Sequence, residues 1–274
     1  MATDPKVALA VSGACGRMGQ RVIQLAYSDP IFTLAAALEK PDHPSLGKDV
    51  GEMTGLPPRG IPITAELPLS KHIDVVIDFS LPEGTMHVLD ACVARRIPIV
   101  IATTGHTSEQ RQRIRAATHE TAVLQAPNLS LSMNLLFKLV QDAAVALKGR
   151  DFDVEIVEKH HRFKKDAPSG TALHIAGLIQ KGMGQARLRH GREGMVGERP
   201  HEEIGIHAIR TGDNVGEHCI IFSTMGETLE ITHRANSRDC YARGALQAAM
   251  YLANRAAGWY AMEDVLAEAL AGGK

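Results

Sequence analysis

The sequence predicts an α/β protein in which a doubly wound parallel sheet comes first and a second, α+β domain follows it. Three observations indicate this architecture. Short apolar runs alternate with helical patterns through the first half of the chain, a glycine-rich turn joins the first run to the first helix, and neighbouring strand-like runs in the second half are separated only by short turns. A chain of 274 residues is long enough to bury two separate cores.

The first half of the chain is predicted to form a covered parallel sheet. Strands are predicted at residues 7–11, 32–38, 74–79, 97–102 and 121–126, helices at 16–27, 83–95 and 108–119, and a Gly/Pro-rich loop at 41–62. The strand-like runs are continuously apolar, which is typical of strands covered on both faces. Helices between such strands predict parallel pairing with right-handed crossovers.

The second half begins with a helix predicted from residue 131 to about 148 and then changes character. Strands are predicted at 152–157, 204–210, 217–224 and 228–235, helices at 171–180, 239–257 and 263–270, and a loop rich in Gly and Arg at 182–200. The last three strands follow one another across the turns TGDNVG and TMGE, so we expect antiparallel pairing among them. From these patterns alone, the C-terminal helices could pack on either domain.

Composition argues against several classes of function. Lys plus Arg total 30 and Asp plus Glu total 31, a formal net charge of −1, which disfavours nucleic-acid binding through a basic surface. Aromatic residues make up 4% of the chain, too few to favour a base-stacking platform. No apolar run approaches the ~18 residues of a membrane span, and the N-terminus lacks the features of a secretory signal. The four cysteines, Cys15, Cys92, Cys219 and Cys240, are scattered, so we expect a cytoplasmic protein.

A glycine motif joins the first predicted strand to the first helix. In VALAVSGACGRMGQ, Gly13, Gly16 and Gly19 follow the strand with G-x-x-G-x-x-G spacing. Glycines let the backbone approach a pyrophosphate closely, and the first helical turn offers N–H donors at the positive end of its dipole. The spacing by itself is a weak signal, because glycines also form ordinary tight turns. The strand before it and the helix after it favour a dinucleotide site.

Glu39 and Lys40 bear on which dinucleotide binds. Glu39 ends the second predicted strand, twenty residues past Gly19, where a carboxylate can accept hydrogen bonds from the adenosine ribose. Lys40 could neutralise the 2′-phosphate of NADPH, with help from Arg17, or could be a solvated lysine. We therefore expect NADH or NADPH as the cofactor and leave the choice between them open.

Two further strand ends carry small and polar residues, IATTGH at 101–106 and APNLS at 126–130. Ligands of open α/β sheets bind at the carboxyl ends of the strands. We therefore expect these two segments to form the nicotinamide end of the same cleft. The alternative is that both are ordinary turns.

The stretch EKHHRFKKDAPSGTA, residues 158–172, concentrates positive charge just before a predicted helix. The two histidines and three cations are His160, His161, Arg162, Lys164 and Lys165. Ser169 or Thr171 can cap the helix, which would direct the N–H groups of its first turn at a ligand, preferably a carboxylate. Together these features predict a pocket for a small molecule with two anionic groups.

His160 and Lys164 are the predicted proton-handling residues of this pocket, because imidazole titrates near neutrality and lysine is another common proton-transfer group. Adjacent histidines are more often structural, and runs of cations are usually solvated. The convergence of histidines, lysine and a capped helix within one short stretch favours a site. No metal site is predicted, since the histidines lack i, i+4 spacing and no carboxylate or cysteine partner is evident.

Beyond these features, the chain resembles the 4-hydroxy-tetrahydrodipicolinate reductases, also called dihydrodipicolinate reductases, of bacterial lysine and diaminopimelate synthesis. The segments that match that family, in order and over nearly the whole chain, are GACGRMG, DFSLPEG, ATTGH, APNLSLSMN, EKHHRFKKDAPSGTA and GEHCIIFSTMGETLEITHRANSR. The element H-H-x-x-K-x-D-x-P-S-G-T is the specific part of the match. The glycine motif alone would not identify the family.

The resemblance implies a Rossmann-type NAD(P)H-binding domain made of residues 1–130 and 240–274. It also implies a middle domain, residues 131–239, whose open mixed sheet binds a small dicarboxylate substrate and assembles a homotetramer. In the family, hydride passes from the nicotinamide to C4 of the unsaturated ring and yields tetrahydrodipicolinate. No nucleic-acid or membrane partner is expected.

The resemblance also implies roles for individual residues. His160 and Lys164 match the family's proton-handling positions, His161 matches a substrate contact, and Ser169, Gly170 and Thr171 correspond to the start of the helix that cradles a substrate carboxylate. The matching cofactor positions are Gly13, Ala14, Cys15, Gly16, Arg17, Met18, Glu39, Lys40, Ala102, Thr103, Thr104, Ala126, Pro127, Asn128 and Leu129.

Three positions depart from the family's pattern. Ala102 replaces a common glycine, Leu129 replaces a common phenylalanine, and Leu81 replaces an arginine found in some members, a change that could weaken a preference for NADPH. Two other functions stay open. A different two-domain oxidoreductase, such as a semialdehyde or homoserine dehydrogenase, would share the glycine motif but not HHRFKKDAPSGT. A nucleotide-sensing regulator would bind the cofactor without oxidising it.

Overall fold

The computed structural model describes residues 6–271, and the chain divides into two compact units. Residues up to Leu131 and from Asp239 onward form the first unit, and Ser132–Arg238 form the second. Within residues 6–271, no helix combines the length and the apolar character that crossing a membrane requires.

The secondary-structure elements are numbered in chain order. They are β1 (Val7–Ser12), α1 (Arg17–Ser28), β2 (Phe32–Leu38), α2 (Val50–Thr54), β3 (Ile63–Thr64), β4 (Val75–Asp78), α3 (Pro82–Arg95), β5 (Ile99–Ile101), α4 (Ser108–Ala117), β6 (Ala122–Gln125), α5 (Leu131–Ala146), β7 (Asp153–His160), α6 (Gly170–Met183), β8 (Arg187–His190), β9 (Glu203–Arg210), β10 (Gly216–Thr224), β11 (Glu227–Ala235), α7 (Asp239–Leu252), β12 (Gly258–Tyr260) and α8 (Met262–Ala271).

The first unit is built on a seven-stranded sheet in the order β12-β6-β5-β4-β1-β2-β3, with parallel pairing throughout. Side chains of β1 alternate between two cores, with Leu9 and Val11 packed among residues of α1 and α7, and Ala10 among residues of α3 and α4. The predicted doubly wound, Rossmann-type sheet is thus confirmed. Its strand order reverses between β1 and β4, which opens a crevice at the carboxyl ends of these strands.

The second unit is built on a five-stranded mixed sheet in the order β11-β10-β7-β9-β8. Along β7, Val154 and Ile156 point into a core with residues of α5 and α6, and we call this side the helix-covered face. Glu155, Val157 and Lys159 alternate with them on the other side, the open face, and are only partly buried. The prediction of a second domain with an open mixed sheet is confirmed.

One predicted strand pairing is wrong. β9 and β10 follow each other in sequence, yet β7 lies between them, parallel to β9 and antiparallel to β10. The backbone of β7, a strand whose inward-facing side chains are fully buried, needs a hydrogen-bonded strand on each edge. The connection at residues 211–215 is long enough to cross from β9 over β7 to β10, two strand spacings of roughly 10 Å in total. The predicted antiparallel pairing of β10 with β11 is correct.

Short elements occur in stretches that the sequence predicts as loop or helix. The loop predicted at 41–62 contains α2, which Asp49 caps by accepting a hydrogen bond from the Gly51 N–H at 2.7 Å. The loop predicted at 182–200 contains β8, and the helix predicted at 239–257 ends at Leu252, before β12. Elements this short do not show a hydrophobic period that a sequence pattern could reveal.

Glu155 anchors a group of ion pairs on the open face. Its carboxylate accepts hydrogen bonds from Arg192 at 2.9 Å, Arg199 at 3.0 Å and His207 at 2.7 Å. Partial burial raises the pKa of Glu155, but these hydrogen bonds outweigh the burial and lower the pKa to about 2. Two arginines from the stretch between β8 and β9 are thereby fixed to the sheet.

We expect Gly244→Ala in α7 to destabilise the protein, although alanine normally favours a helix. A Cβ at position 244 would lie 1.8 Å from the Leu129 carbonyl oxygen, and such overpacking typically costs about 1–3 kcal/mol. The matched control is Gly177→Ala in α6, where a Cβ would meet nothing within 4 Å and the change should stabilise by about 0.5–1 kcal/mol. Thermal unfolding of both variants measures the difference. Equal effects of the two changes would contradict the close packing at Gly244.

Candidate active site

The glycine turn of the first unit is required by close backbone packing. Gly13 has a φ of +72°, and a Cβ there would lie 2.6 Å from the Phe79 carbonyl oxygen. A Cβ at Gly19 would lie 2.1 Å from the Gly13 carbonyl oxygen. These glycines therefore bring β1, α1 and the end of β4 together more closely than any other residue type would allow.

The N-terminus of α1 is open toward a ligand. Gly16 occupies the N-cap position, where no side chain of the described chain caps the helix. Its first-turn N–H groups and the helix dipole therefore suit a phosphate. A cavity of about 530 Å³ opens at this end of the sheet, and Gly13, Gly16, Glu39, Lys40 and Leu81 are among the residues that line it. This volume is within the range of small-molecule sites.

Glu39 is held by the backbone around it. Its Oε2 accepts the Cys15 N–H and its Oε1 accepts the Lys40 N–H, each at 3.1 Å. A carboxylate oxygen has two lone-pair positions, so both oxygens can still accept a ribose hydroxyl. The ammonium group of Lys40 pairs with the Asp42 carboxylate at 3.1 Å on the exposed surface.

Cys15, Glu39 and His43 form a cluster that the sequence did not indicate, with ligand-type atoms all within 4.8 Å of one another. The atoms have other hydrogen-bonding roles, because both Glu39 oxygens accept backbone N–H groups and the His43 Nδ1 accepts the Ser45 N–H at 3.2 Å. Burial and the adjacent Glu39 raise the pKa of the Cys15 thiol, which disfavours the thiolate that binds metals. The cluster is explained by the hydrogen bonds around Glu39.

Asp78, at the end of β4, fixes one of the predicted cofactor segments. Its side chain is fully buried, and its Oδ2 accepts hydrogen bonds from the hydroxyls of Thr103 at 2.8 Å and Thr85 at 2.6 Å. Its Oδ1 accepts the Ser80 N–H at 3.2 Å. Sequence patterns did not indicate this role, because it depends on residues from two other parts of the chain.

The remaining predicted cofactor residues do not line the cavity beside the glycine turn. Residues 102–104 follow β5 and residues 126–129 follow β6, so both segments lie at the same carboxyl edge of the sheet as Gly13. Ala126 and Leu129 are buried in the core, whereas Thr104 and Pro127 are exposed. Cofactor contacts from Leu129 would therefore come from its backbone.

In the second unit, β7 ends at His160 and the chain returns to α6 through the basic loop at 161–168. The Ser169 hydroxyl accepts the Ala172 N–H at 3.1 Å, so Ser169, rather than Thr171, is the capping residue. A Cβ at Gly170 would meet no atom within 4 Å. The first turn of α6 is thus accessible to a ligand carboxylate.

Lys164 lies in this loop with its Nζ 2.9 Å from the Asp166 carboxylate, a hydrogen bond that lowers the pKa of Asp166. Its side chain is 22% exposed, whereas Arg162 and Lys165 are largely exposed. The Nδ1 of His161 is buried and has no hydrogen-bond partner in the described part of the chain. An orphaned polar atom of this kind is compatible with a ligand contact.

Glu158 is a site residue that sequence reasoning missed. Its side chain is fully buried, and its Oε2 accepts a hydrogen bond from the His160 Nδ1 at 2.6 Å. Its Oε1 accepts the Ser169 N–H at 3.0 Å, and Arg210 binds both oxygens at 2.8–2.9 Å. The only sequence signal was its place two residues before His160, on the same face of the strand.

His218 on β10 is a second missed residue. Its ring packs edge-on against that of His160, with centroids 5.3 Å apart, and its Nε2 lies 3.1 Å from the Ser169 hydroxyl. Burial, together with the nearby His160, lowers the pKa of His218 to about 3. Burial, with the nearby charges of Lys164 and Arg210, also lowers the pKa of His160 although the adjacent Glu158 raises it. Both imidazoles are therefore neutral at neutral pH.

We expect His218→Gln to reduce the loss of stability on acidification. The pKa of His218 is 6.5 in the unfolded chain and about 3 in the folded protein. Between these pH values the His218 imidazole binds a proton only in the unfolded chain, so the free energy of unfolding falls by about 1.4 kcal/mol for each pH unit of acidification. Unfolding by denaturant at pH 7 and pH 5 should show a smaller difference for the variant. His190→Gln, at an exposed histidine of the same unit, is the control. The same pH dependence in wild type and His218→Gln would contradict this account.

Comparisons with known proteins show the family to which this chain is similar. The family description "Dihydrodipicolinate reductase, N-terminus" matches residues 7–129, and "Dihydrodipicolinate reductase, C-terminus" matches residues 132–266. A 4-hydroxy-tetrahydrodipicolinate reductase from Rhodopirellula baltica is 46% identical over 268 residues, covering 95% of this chain and 96% of its own. The enzyme of that name from Methylococcus capsulatus is 44% identical over 260 residues, with coverages of 93% and 96%.

A solved structure shares the fold. The structure is that of a dipicolinate-bound dihydrodipicolinate reductase from Paenisporosarcina sp. TG-14, which matches with a TM-score of 0.74 at 24% identity. The match covers 94% of this chain and 98% of that chain. With both family descriptions matched and relatives more than 40% identical over nearly the full length, this chain belongs to the dihydrodipicolinate reductase family.

Proposed function

We propose that the chain is an NAD(P)H-dependent 4-hydroxy-tetrahydrodipicolinate reductase of lysine and diaminopimelate biosynthesis. In this reaction the substrate, by way of dihydrodipicolinate, is reduced to tetrahydrodipicolinate. The observation that carries the proposal is the juxtaposition of His160 with the capped, accessible N-terminus of α6 in a member of this family. A proton-handling group and a carboxylate cradle are what a small dicarboxylate substrate requires.

The substrate is held by the first turn of α6 and by the basic loop. The N–H groups of Gly170 and Thr171 bind one carboxylate at the positive end of the helix dipole. Ser169 is already engaged as the cap, so its hydroxyl supports the cradle and the main chain provides the contacts. His161 contributes a further hydrogen bond. The dipicolinate bound to the related reductase from Paenisporosarcina sp. TG-14 supports a dicarboxylate ligand.

His160 and Lys164 handle the proton that reduction requires. A bound nicotinamide cofactor supplies the hydride, to C4 of the ring. Negative charge then builds on the ring, and a general acid placed nearby neutralises it as C3 takes up a proton. The Lys164 side chain is partly shielded from solvent, and its partner Asp166 is 60% exposed, so an anionic substrate can replace that partner at little cost.

The cofactor, NADH or NADPH, binds the first unit. The pyrophosphate lies on the turn from Gly13 to Met18, which includes Ala14, Cys15, Gly16 and Arg17, and the ribose lies on Glu39. Residues 102–104 and 126–129 receive the nicotinamide end. The uncapped N-terminus of α1 and the cavity beside Glu39 support this assignment. With these assignments, residues 1–130 and 240–274 bind the dinucleotide, and residues 131–239 bind the substrate.

A cytoplasmic location fits this biosynthetic role and the free thiols.

We also propose that the open face of the second sheet assembles the chain into a homotetramer. Several of its charged groups are paired within the chain, as where Glu217 binds Lys159 at 2.9 Å and Arg234 at 2.8 Å. Apolar side chains such as Val157 and Ile221 lie between them, only partly buried. Light scattering should give four times the chain mass of 29.5 kDa. A monomeric mass would overturn the proposal.

The test of the proposed function is substrate-dependent oxidation of the reduced cofactor. Substrate is made in place from pyruvate and aspartate semialdehyde by the preceding synthase, and NADH and NADPH are run side by side. Rapid oxidation of either cofactor supports the reductase, and the ratio of the two rates gives the preference. Cofactor binding without oxidation would point instead to a different dehydrogenase or a nucleotide sensor.

We expect Lys164→Ala to lower kcat by about 10²–10⁴-fold, the usual contribution of a proton-transfer group, and to leave cofactor affinity nearly unchanged. Lys165→Ala is the matched control, because the two lysines are adjacent but Lys165 is largely exposed. Steady-state kinetics and cofactor titration of both variants measure the effects. Near-normal turnover of Lys164→Ala would remove this residue from the mechanism.

We expect Asp42→Asn to improve the use of NADPH, because it frees the Lys40 ammonium group from its partner 3.1 Å away. An exposed ion pair is weak, so KM for NADPH should fall by up to about fivefold while KM for NADH stays constant. Lys40→Met should raise KM for NADPH selectively. If both substitutions changed the two KM values alike, Lys40 would have no part in phosphate recognition.

A further inference from the structure

Glu158 joins three segments of the second unit at one point. Its carboxylate binds the imidazole of His160 on its own strand, the N–H of Ser169 at the start of α6, and the guanidinium of Arg210 at the end of β9. Arg210 also donates to the carbonyl of Asp166 at 2.7 Å. The loop that carries Lys164 is therefore fixed at both ends by the same pair of residues.

The charge state of Glu158 determines which nitrogen of His160 carries the proton. Burial raises the pKa of Glu158, but hydrogen bonds from Arg210, from His160 and from the Ser169 N–H lower it by more. An ionised carboxylate only accepts hydrogen bonds, so the Nδ1 of His160 must be the donor. In the neutral imidazole the Nε2 is then the unprotonated nitrogen, ready to take up a proton.

Arg210 limits how strongly Glu158 acts on the charge of His160. Without Arg210, the buried negative charge of Glu158 would favour the protonated form of the His160 imidazole. Burying that unpaired carboxylate would also be energetically costly. The bidentate pairing with Arg210 offsets that charge and keeps the hydrogen bond to Nδ1. Consistent with this, Glu158 raises the pKa of His160, whereas Lys164 and Arg210 lower it.

We propose that Glu158 and Arg210 are positioning residues for the reaction: Glu158 orients His160 with Nδ1–H toward the carboxylate, and Arg210 prevents Glu158 from locking the imidazole in its charged form. The inference rests on the proposed function, since it concerns how His160 serves the proton transfer. It adds a link between the proton-handling imidazole and the carboxylate cradle, because the Ser169 N–H binds the same carboxylate.

The charged and titratable groups around His160 come from four elements. Glu158 lies on the same strand, His218 on β10, Arg210 at the end of β9, and Lys164 in the loop before α6. His218 stays neutral above about pH 3, so it contributes no charge near neutrality. Glu158 and Arg210 therefore act on the pKa of His160 with opposite signs, and this opposition is what the experiment measures.

The experiment follows the ring nitrogens of His160 by NMR as the protein without ligands is titrated, for wild type and variants. In wild type, Nδ1 should carry the proton through the neutral range. Glu158→Gln should lower the pKa of His160 and mix the two tautomers. Arg210→Met should raise the pKa, because the carboxylate is left uncompensated. A merely structural role would not shift the pKa in opposite directions.

Glu155→Gln is the matched control. Glu155 lies on the same strand and, like Glu158, binds arginine and histidine side chains, in its case Arg192, Arg199 and His207, but it points to the open face. Its replacement should leave the tautomer and the pKa of His160 unchanged. If Arg210→Met fails to fold, the double variant Glu158→Gln/Arg210→Met removes both charges and should titrate close to Glu158→Gln.

Kinetics complete the test. Glu158→Gln should lower kcat by about a hundredfold, the cost of a misplaced catalytic group, and leave the Kd of the reduced cofactor unchanged. The inference would be overturned if the pKa of His160 moved in the same direction in Glu158→Gln and Arg210→Met, or if Glu155→Gln changed that pKa as much as Glu158→Gln does. If wild type is active, the proposed function would stand in either case. An inactive wild type with the expected NMR pattern would overturn the proposed function alone.

Discussion

The two-residue alternation of β7 is the constraint on which the second unit depends. Val154, Ile156, Glu158 and His160 form one row, and the first two are fully buried in the core beneath α5 and α6. The next two members of the same row are a carboxylate, Glu158, and an imidazole, His160. A slip of one residue would move the whole row to the opposite face. The packing that stabilises this unit is therefore also what positions His160.

In the first unit the corresponding constraint is the reversal of strand order between β1 and β4. Helices on opposite faces of the sheet leave a crevice at that point, and the loops after β1, β2 and β4 converge on it. Gly13 and Phe79, whose backbones lie close together, both line this crevice. The backbone also positions a side chain of the crevice, since Glu39 is held by two main-chain N–H groups.

Much of this arrangement could be predicted from the sequence, and the omissions have a physical pattern. Continuous apolar runs predicted the parallel sheet, and SGT before an apolar helix predicted the cap that Ser169 forms. Glu158 escaped prediction because an acidic residue in an alternating strand normally indicates the solvated face. Its burial depends on Arg210, which is 52 positions away and is brought close only by the parallel pairing of β7 with β9. Short strands such as β8 and β12 were missed because they form only where a neighbouring strand edge is available.

The first unit is discontinuous in sequence, and this has a consequence for how the protein is made. β12 supplies the last neighbour of β6, and α7 fills the core behind β4, β5 and β6 through residues such as Ala245 and Ala249. Both elements come from the end of the chain. Ser132–Arg238, by contrast, is one continuous segment with its own core. During synthesis the second unit is thus complete before α7 and β12 are made, and until then β6, which pairs with β5 on one side, has a free edge on the other.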